Sequence, residues 1–277
     1  MVGVASIETI MSQKTNEAEQ PSKTESENIS LFQSGIEIKN LTYRYPGSDT
    51  PVLKDISFMI KPNQTIGILG QIGAGKTTLV NCINRYLKVP NGVIFLDGID
   101  INELSLSDIR QTIRTVSQDV FLFSDSIRNN ILFGAVNEAS VSEASLQRVI
   151  EESALSDEID RFPYKLETTI GEKGIMLSGG QKQRISLARS MIAPFDLLIL
   201  DNILSAVDFE TERFLLTKIL ARRTSRSLLI VSHRVQALEH ADLILVLDKG
   251  TIVDRGTHQQ LIQKEGLYKQ IWQLQEQ

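Results

Sequence analysis

The chain has 277 residues, is 42% hydrophobic and carries a formal net charge of −5. That is sufficient for one sizeable core with an inserted subdomain. Interspersed charges of both signs argue against a general nucleic-acid binder, and the single cysteine, Cys82, excludes an internal disulfide and a zinc cluster built from cysteines. The longest apolar run, Leu243–Leu247, is far shorter than the roughly 20 residues that span a bilayer. We therefore expect the chain itself to be soluble and to reside in a reducing compartment.

The start of the chain passes from a helical pattern to a polar stretch. Apolar residues at helical spacing between Val4 and Met11 predict a short helix. Residues 12–30 are polar and free of aromatics, which predicts a flexible linker. A folded pattern begins near Gly35 and opens with strands that we expect to form an antiparallel section.

From that point, strand and helix patterns alternate, apart from a block at about 126–191 that is predicted to be mostly helical. The predicted strands are residues 36–45, 52–60, 65–69, 93–96, 197–200, 228–231, 243–247 and 251–253. The predicted helices outside the block are residues 76–86, 210–221 and 235–240. Such alternation is typical of parallel strands joined by crossover helices, so the sequence predicts an α/β core interrupted by a helical block.

A glycine-rich segment between the strand at 65–69 and the next helix fits the phosphate-binding pattern G-x-x-x-x-G-K-[ST]. Its residues are Gly70, Gln71, Ile72, Gly73, Ala74, Gly75, Lys76, Thr77 and Thr78. Glycines let successive N–H groups point at an anion, and the following helix offers its positive end. We expect Lys76 to reach the β- and γ-phosphates of ATP and the Thr77 hydroxyl to bind Mg²⁺. The alternative, a glycine-rich turn that precedes a helix by chance, is disfavoured by the strand–loop–helix context.

An aspartate ends the apolar strand at 197–200. In P-loop enzymes an aspartate at this position, here Asp201, holds the Mg²⁺ shell. The observation is weak by itself, because many core strands end in aspartate. It becomes informative with the phosphate loop upstream.

The segment Leu177-Ser178-Gly179-Gly180-Gln181 is the most specific piece. With the phosphate loop and Asp201 in the same order, it resembles the nucleotide-binding domain of ABC transporters, from about Gly35 to the C-terminus. The resemblance implies that Ser178, Gly179, Gly180 and Gln181 cover the γ-phosphate of ATP held by a second such domain. Two domains would then sandwich two ATP molecules head to tail.

The same resemblance implies roles for single residues. Tyr45, before Pro46, is similar to the aromatic residue that stacks on adenine, with Tyr43 as a nearby rival. Gln118 is similar to the Q-loop glutamine, which touches Mg²⁺ and the attacking water and whose loop faces the membrane domain. Its alternative is a surface glutamine at a strand end.

Two further residues follow from the later motifs. Asp208, at the end of 205–208, is similar to the D-loop aspartate at the dimer interface, and it also suits a helix N-cap. His233, after the strand at 228–231, is similar to the H-loop histidine that contacts the γ-phosphate, although a lone histidine is more often structural.

The resemblance also implies a fold and its divisions. The expected fold is α/β, with a P-loop (RecA-like) core built on a parallel sheet, an N-terminal antiparallel β section and an inserted helical subdomain. The ATP-binding core would comprise 35–118 and 195–277, and the helical subdomain 119–194. Residues 1–34 would be a helix and linker that lead from a membrane domain.

Two stretches resemble exporters within the family, namely 168–174, just before the Ser178 segment, and 121–131. We therefore expect an exporter's transmembrane domain as a partner, a position on the cytoplasmic face of a cell membrane, and no nucleic-acid partner. A non-transport ABC ATPase and an importer ATPase that docks on separate membrane subunits are the alternatives. The stretch at 168–174 argues against the first alternative, and the helix and linker expected before the first strand argue against the second.

One position departs from the family pattern. The family usually has glutamate after the strand aspartate, as general base or to polarise water, whereas this chain has Asn202. An amide does not accept a proton near neutral pH, and loss of a general base typically costs roughly 10²–10⁴-fold. ATP binding should persist while hydrolysis at this site is weak.

Two explanations of Asn202 compete. The chain is the degenerate half of a heterodimeric exporter, or the residue is an engineered trap for the ATP-bound dimer. The first is favoured, because a deliberate trap more often uses glutamine or alanine and because Ile203 and Leu204 also depart from the usual Ala-Thr. The intact His233 argues slightly against it. A homodimer stays open, with the heterodimer favoured.

Overall fold

The computed structural model describes residues 32–171, 174–203, 208–221 and 226–276. The predicted N-terminal helix, the polar stretch at 12–30, and residues 204–207 of the D-loop segment lie outside this range. The strands, in chain order, are β1 (Ile36–Tyr43), β2 (Leu53–Ile60), β3 (Thr65–Leu69), β4 (Ile94–Leu96), β5 (Ile99–Asp100), β6 (Ile113–Val116), β7 (Leu197–Asp201), β8 (Ser227–Ser232), β9 (Leu243–Asp248) and β10 (Thr251–Gly256). The α-helices are α1 (Lys76–Ile83), α2 (Leu106–Thr112), α3 (Ile127–Leu132), α4 (Glu143–Glu152), α5 (Ser156–Arg161), α6 (Gly179–Met191), α7 (Phe209–Ala221), α8 (His258–Gln263) and α9 (Leu267–Gln275).

The larger sheet positions the functional residues. Among the described residues it has six strands in the order β10-β9-β3-β8-β7-β6. β9, β3, β8, β7 and β6 run parallel, and β10 pairs antiparallel with β9. Parallel strands are covered on both faces, so they are made of continuous apolar residues. β7 and β8 are accordingly buried at every position.

The two faces of this sheet support two hydrophobic cores. Along β7, Leu198 and Leu200 point into a core with the helices, whereas Leu197 and Ile199 point into the other core. This alternation follows from the two-residue period of a strand. The second core is closed by α1 and by a smaller antiparallel sheet of order β2-β1-β4-β5.

The helical block packs against the end of the sheet where β6 lies. α6 packs on α3 and on β6. Arg189 of α6 donates to the carbonyl of Asn130 at 2.7 Å and to that of Phe121 at 2.9 Å. These bonds tie the segment after β6 to α6, because one guanidinium satisfies carbonyls from two separate turns.

The predicted fold class is confirmed, with an antiparallel section first and a helical block inserted before β7. The predicted boundaries between the ATP-binding core and the helical subdomain remain predictions. Within the part of the chain that the structure describes, no helix is both long and apolar enough to cross a membrane.

Two predicted helices differ in the structure. The helix predicted at 76–86 ends at Ile83, because Arg85 adopts a left-handed φ of 55° and the N–H of Tyr86 bonds back to the carbonyl of Asn81 at 2.9 Å. The helix predicted at 235–240 was wrong. The short 3₁₀ turn Gln236–Leu238 is sufficient to bury Val235 and Leu238, which stand three apart, together with Ala237.

Candidate nucleotide-binding site

Four neighbouring parallel strands end at one edge of the larger sheet, and a candidate segment follows each of them. The phosphate loop follows β3, His233 follows β8, Asn202 follows β7 and Gln118 follows β6. The strand register aligns these ends, since Leu69 pairs with Ser232 and Asp201 with Val231. Ligands of open α/β sheets bind outside the carboxyl ends of the strands, so the topology assembles a site from segments far apart in sequence.

The phosphate loop requires glycine at defined points. A Cβ on Gly70 would lie 2.5 Å from the carbonyl oxygen of Leu247, so this position has no room for a side chain. Gly75 has a φ of 103°, in the left-handed region that favours glycine, and stands directly before α1. No side chain caps the N-terminus of α1, and the first turn of α1 contains no acidic residue. The positive end of α1 therefore faces the loop and suits an anion.

Lys76 lies folded into the loop that precedes it. Its Nζ donates to the carbonyl of Gly70 at 2.7 Å and to that of Gln71 at 2.9 Å. Burial lowers the pKa of Lys76, and the charge of Asp201 opposes this effect. The ammonium group thus stands between the loop carbonyls and the carboxylate, where it can pair with a phosphate.

Asp201 and Thr77 form the part of the site that suits a divalent cation. Asp201 is only 2% exposed, and its Oδ1 has no hydrogen-bond partner among the described residues. Burial raises the pKa of Asp201, while a hydrogen bond from the Thr77 hydroxyl and the charge of Lys76 lower it. A buried carboxylate oxygen without a partner is costly unless a cation or donor meets it. With the Thr77 hydroxyl it provides the hard oxygen ligands that Mg²⁺ prefers.

Gln118 follows β6, the strand next to the one that ends at Asp201. It comes two residues after the end of β6, whose Val116 pairs with Leu200 of β7. Its side chain is exposed, and the charge of its neighbour Asp119 acts on Asp201. The side-chain amide oxygen of Gln118 is therefore available as a third oxygen ligand, which remains a prediction.

Asn202 and His233 are hydrogen-bonded to each other. Nδ1 of His233 lies 2.8 Å from Oδ1 of Asn202, which accepts the ring proton. Asn202 adopts a left-handed φ of 55°, a region in which asparagine is enriched. Burial, then the charges of Arg234 and Lys76, lower the pKa of His233. The neutral ring is therefore held by a neutral amide, so the pair lacks a carboxylate that would accept a proton.

Tyr45 lies at the far end of the phosphate loop. Its hydroxyl is 3.1 Å from Oγ1 of Thr78, and its ring packs edge-on against Tyr43 with centroids 5.3 Å apart. Tyr45 is 39% exposed, whereas Tyr43 is 8% exposed. Only an accessible ring can stack on a base, so this difference favours Tyr45 over Tyr43 as the predicted adenine contact.

The Ser178 segment does not join this cluster. Ser178 caps α6 by accepting from the N–H of Gln181 at 3.2 Å, and the side chain of Gln181 accepts from the N–H of Ser178 at 2.8 Å. No described hydrogen bond connects residues 178–181 with the phosphate loop. Ser178 and Gly179 are exposed. The segment is thus formed, and its first two residues are accessible.

Asp208 acts as the N-cap that the sequence allowed. Its Oδ1 accepts from the N–H of Thr211 at 2.9 Å, and its Oδ2 accepts from the Thr211 hydroxyl at 2.8 Å. These bonds lower the pKa of Asp208. The preceding D-loop residues, 205–207, lie outside the described residues, so the role of Asp208 at an interface remains a prediction.

Sequence reasoning missed a groove between β6 and the helices that pack on it. The groove has a volume of about 280 Å³ and is lined by both cationic and aromatic side chains, including Arg110, Arg114, Arg189, Tyr86 and Phe133. Nε of Arg114 is buried without a hydrogen-bond partner among the described residues. The residues come from separate segments, so no local pattern predicts the groove. Phe123 adjoins the groove, since its ring packs on that of Phe133 with centroids 4.6 Å apart.

A protein-family model described as "ABC transporter" matches residues 53–205, which is more than half of the chain. Curated relatives include the ATP-dependent lipid A-core flippases of Pseudomonas aeruginosa, 39% identical over 97% of this chain, and Photobacterium profundum, 37% identical over 99%. The chain spans 44% and 46% of the length of these two proteins.

Solved structures agree with these relatives. A bacterial Atm1-family ABC exporter with ATP bound superposes with a TM-score of 0.88 at 29% identity. That match covers 100% of this chain and 47% of the exporter chain.

Proposed function

Because this chain belongs to the ABC transporter family, we propose that it is the ATPase domain of an exporter, which binds Mg²⁺ and ATP and drives transport across a membrane. The observation that carries the proposal is the group formed by Lys76 and Thr77, at the start of α1, and Asp201, at the end of β7. Oδ1 of Asp201 is buried and lacks a hydrogen-bond partner among the described residues. Exporter relatives that match nearly the whole chain support it.

ATP binding would use groups that the structure already positions. The N–H groups at the start of α1 and the ammonium of Lys76 would hold the β- and γ-phosphates. Thr77, Asp201 and Gln118 would hold Mg²⁺, which when bound neutralises charge on the phosphate oxygens. Tyr45 would stack on the base. The Nδ1 of His233 is committed to Asn202, so the ring would donate from Nε2 to the γ-phosphate only as an imidazolium, which the phosphate charge favours.

Hydrolysis at this site would be slow. An attacking water needs a base, and the amide of Asn202, whose Oδ1 accepts from His233, takes up no proton near neutral pH. Removal of a general base typically reduces turnover by roughly 10²–10⁴-fold. The site would therefore hold ATP across an interface more than consume it.

A second domain would complete the site. Ser178 and Gly179 are exposed at the start of α6 and have no described bond to their own phosphate loop. This arrangement supports a head-to-tail pair in which the segment of each chain covers the ATP of the other. We propose a heterodimer, because a partner with glutamate at the corresponding position would benefit from the complete Ser178 segment of this chain.

The membrane partner would dock at the groove between α6 and the sheet. Its aromatic lining continues into Phe121 and Phe123, whose rings pack edge-on with centroids 5.1 Å apart. The two stretches with the exporter pattern lie side by side, since the N–H of Ile127 donates to the carbonyl of Thr168 at 3.1 Å. We place the domain on the cytoplasmic face, beneath an exporter's transmembrane helices.

The direct test is equilibrium binding of ATP to the purified chain with and without Mg²⁺. We expect tighter binding with Mg²⁺, and loss of the Mg²⁺-dependent part in Asp201→Ala. Asp242→Ala is a control, because it removes a carboxylate that accepts from the N–H of Thr65 at 2.8 Å, at the opposite end of β3 from the site. Equal affinity for ATP with and without Mg²⁺ would contradict the proposal.

A further inference from the structure

The last helix of the described chain is firmly anchored. Tyr268 of α9 is buried, and its hydroxyl lies 2.8 Å from Nδ1 of His258 in α8. Leu267, Ile271 and Trp272 of α9 pack against the core on the helical side of the sheet. The orientation of α9 is thus fixed by burial at its start and middle, so its end is held at a defined place.

The residue at that end reaches the loop after β8. The side chain of Gln275 accepts from the N–H of Val235 through Oε1 at 2.8 Å, and it donates to the carbonyl of His233 through Nε2 at 2.8 Å. The contacts cross 40 and 42 residues of sequence. One planar amide therefore satisfies a backbone donor and a backbone acceptor on either side of Arg234.

These bonds complete the restraint of a short loop. The N–H of Arg234 donates to Oγ of Ser232 at 2.9 Å, and the ring of His233 is held by Asn202 at 2.8 Å. A glutamine on the exposed last turn of a helix normally stays in water, because fixing its side chain costs conformational entropy. Here both polar ends of the amide are used on the loop that carries His233.

We propose that Gln275 is a positioning residue, which holds the His233 loop against α9 and thereby sets where the His233 ring meets the γ-phosphate. The part of the inference that concerns the γ-phosphate rests on the proposed function. The other part, that Gln275 fixes the loop backbone, stands on the contacts alone. Gln275 itself touches neither the phosphate loop nor Asp201 in any described bond.

Three variants of the whole chain test the proposal. Gln275→Ala removes both bonds. Gln275→Glu keeps the size but sets a carboxylate oxygen against the carbonyl of His233. Gln273→Ala is the control, because Gln273 is exposed on the same helix and no hydrogen bond from it is described. The readouts are amide exchange at Val235 and the ratio of affinities for Mg²⁺–ATP and Mg²⁺–ADP.

We expect Gln275→Ala to speed exchange at Val235 by roughly 5- to 10-fold, since each lost hydrogen bond has a modest net effect. Gln275→Glu keeps an oxygen that can accept from Val235 and loses only the donor to His233, so its increase should be smaller, about 2- to 5-fold. The preference for ATP over ADP should fall by about 3- to 10-fold, with ADP affinity unchanged. Gln273→Ala should match the parent in both readouts.

Unchanged exchange at Val235 in both Gln275 variants would overturn the proposal that Gln275 fixes the loop backbone. Faster exchange with an unchanged preference for ATP over ADP would overturn the positioning role. Failure of the parent chain to bind ATP would overturn the proposed function and the γ-phosphate part of the inference, whereas exchange at Val235 would still decide whether Gln275 fixes the loop backbone.

Discussion

Two helices of this chain begin where an anion could bind, and they begin differently. α1 follows Gly75 with no side-chain cap, and Lys76 and Thr77 occupy its first turn. α6 follows Ser178, which forms a complete capping box with Gln181. The first helix start leaves its N–H groups without side-chain partners, while the second satisfies two of its own backbone donors.

The difference indicates a division of labour between these two regions. α1 stands at the edge of the sheet with Asp201 and His233 nearby, which supports our proposal that one chain binds the triphosphate. The start of α6 has its own cap and leaves Ser178 and Gly179 exposed, which supports our proposal that this segment meets the ATP of another chain. A site shared by two chains is expected to bind ATP in one and to complete catalysis with the other.

The largest expected effect comes from Asn202→Glu, which would give the nucleotide site beside α1 the general base that it lacks. In a dimer of two such chains, with both Ser178 segments intact, we expect ATP turnover to rise by roughly 10²–10⁴-fold. The variant should also lose about 1 kcal/mol of stability, because glutamate tolerates the left-handed φ at this position less well than asparagine. Steady-state phosphate release and thermal unfolding measure both. Unchanged turnover would show that Asn202 is not the limiting defect.

Lys76→Ala should weaken the grip of α1 without affecting α6. Loss of charge-assisted bonds to two phosphates is expected to raise the Kd for Mg²⁺–ATP by about 100-fold. Lys88→Ala is a control on the exposed surface beyond α1. Equal loss of affinity in both variants would mean that general positive charge, and not the position of Lys76, binds the nucleotide.

Ser178→Ala tests whether α6 acts beyond its own stability. Loss of the cap should cost about 1 kcal/mol. Thr257→Ala is matched, since Thr257 forms the same kind of capping box with Gln260 at α8. In the Asn202→Glu background we expect Ser178→Ala, but not Thr257→Ala, to reduce turnover by about tenfold or more. A similar fall in both variants would reduce Ser178 to a structural cap.

Asp201→Asn should raise the stability of the folded chain while removing its contribution to Mg²⁺ binding. Burial raises the pKa of Asp201 in the folded chain above its unfolded value. The folded state is therefore destabilised, relative to the unfolded state, as pH rises through the folded pKa and Asp201 ionises. Without Mg²⁺ at neutral pH, we expect the variant to melt about 2–4 °C higher, corresponding to about 1 kcal/mol. The gain should vanish in acid, where the carboxyl is protonated, and Mg²⁺ should no longer add to the rise in Tm that ATP itself produces. A variant that melts lower at neutral pH would contradict this account.

The comparison also shows what local sequence could predict. β3 was predicted at its observed bounds, because a continuous apolar run enters a glycine loop, and the capping box at Ser178 follows from its own spacing. The pairing of Asn202 with His233 was not predicted, because it depends on the adjacency of β7 and β8 and on a left-handed backbone.

Other features were missed for related reasons. α2 and β6 follow each other without a turn residue, as Ile113 both ends the helix and begins the strand. α8 is short and largely polar, whereas α9 has apolar residues at helical spacing that the prediction overlooked. The contact of Gln275 with the His233 loop spans nearly the whole distance from β8 to the C-terminus. Such contacts are products of tertiary packing, which a single sequence does not reveal.

The most direct test of the central claim is the fate of ATP bound to the parent chain. A single-turnover experiment would bind Mg²⁺–ATP in less than stoichiometric amount, and would then identify the nucleotide that remains bound over time. We expect intact ATP to persist, with a hydrolysis rate about 10²-fold or more below that of Asn202→Glu. Conversion to ADP in the parent chain as fast as in Asn202→Glu would contradict the account of a site that holds ATP.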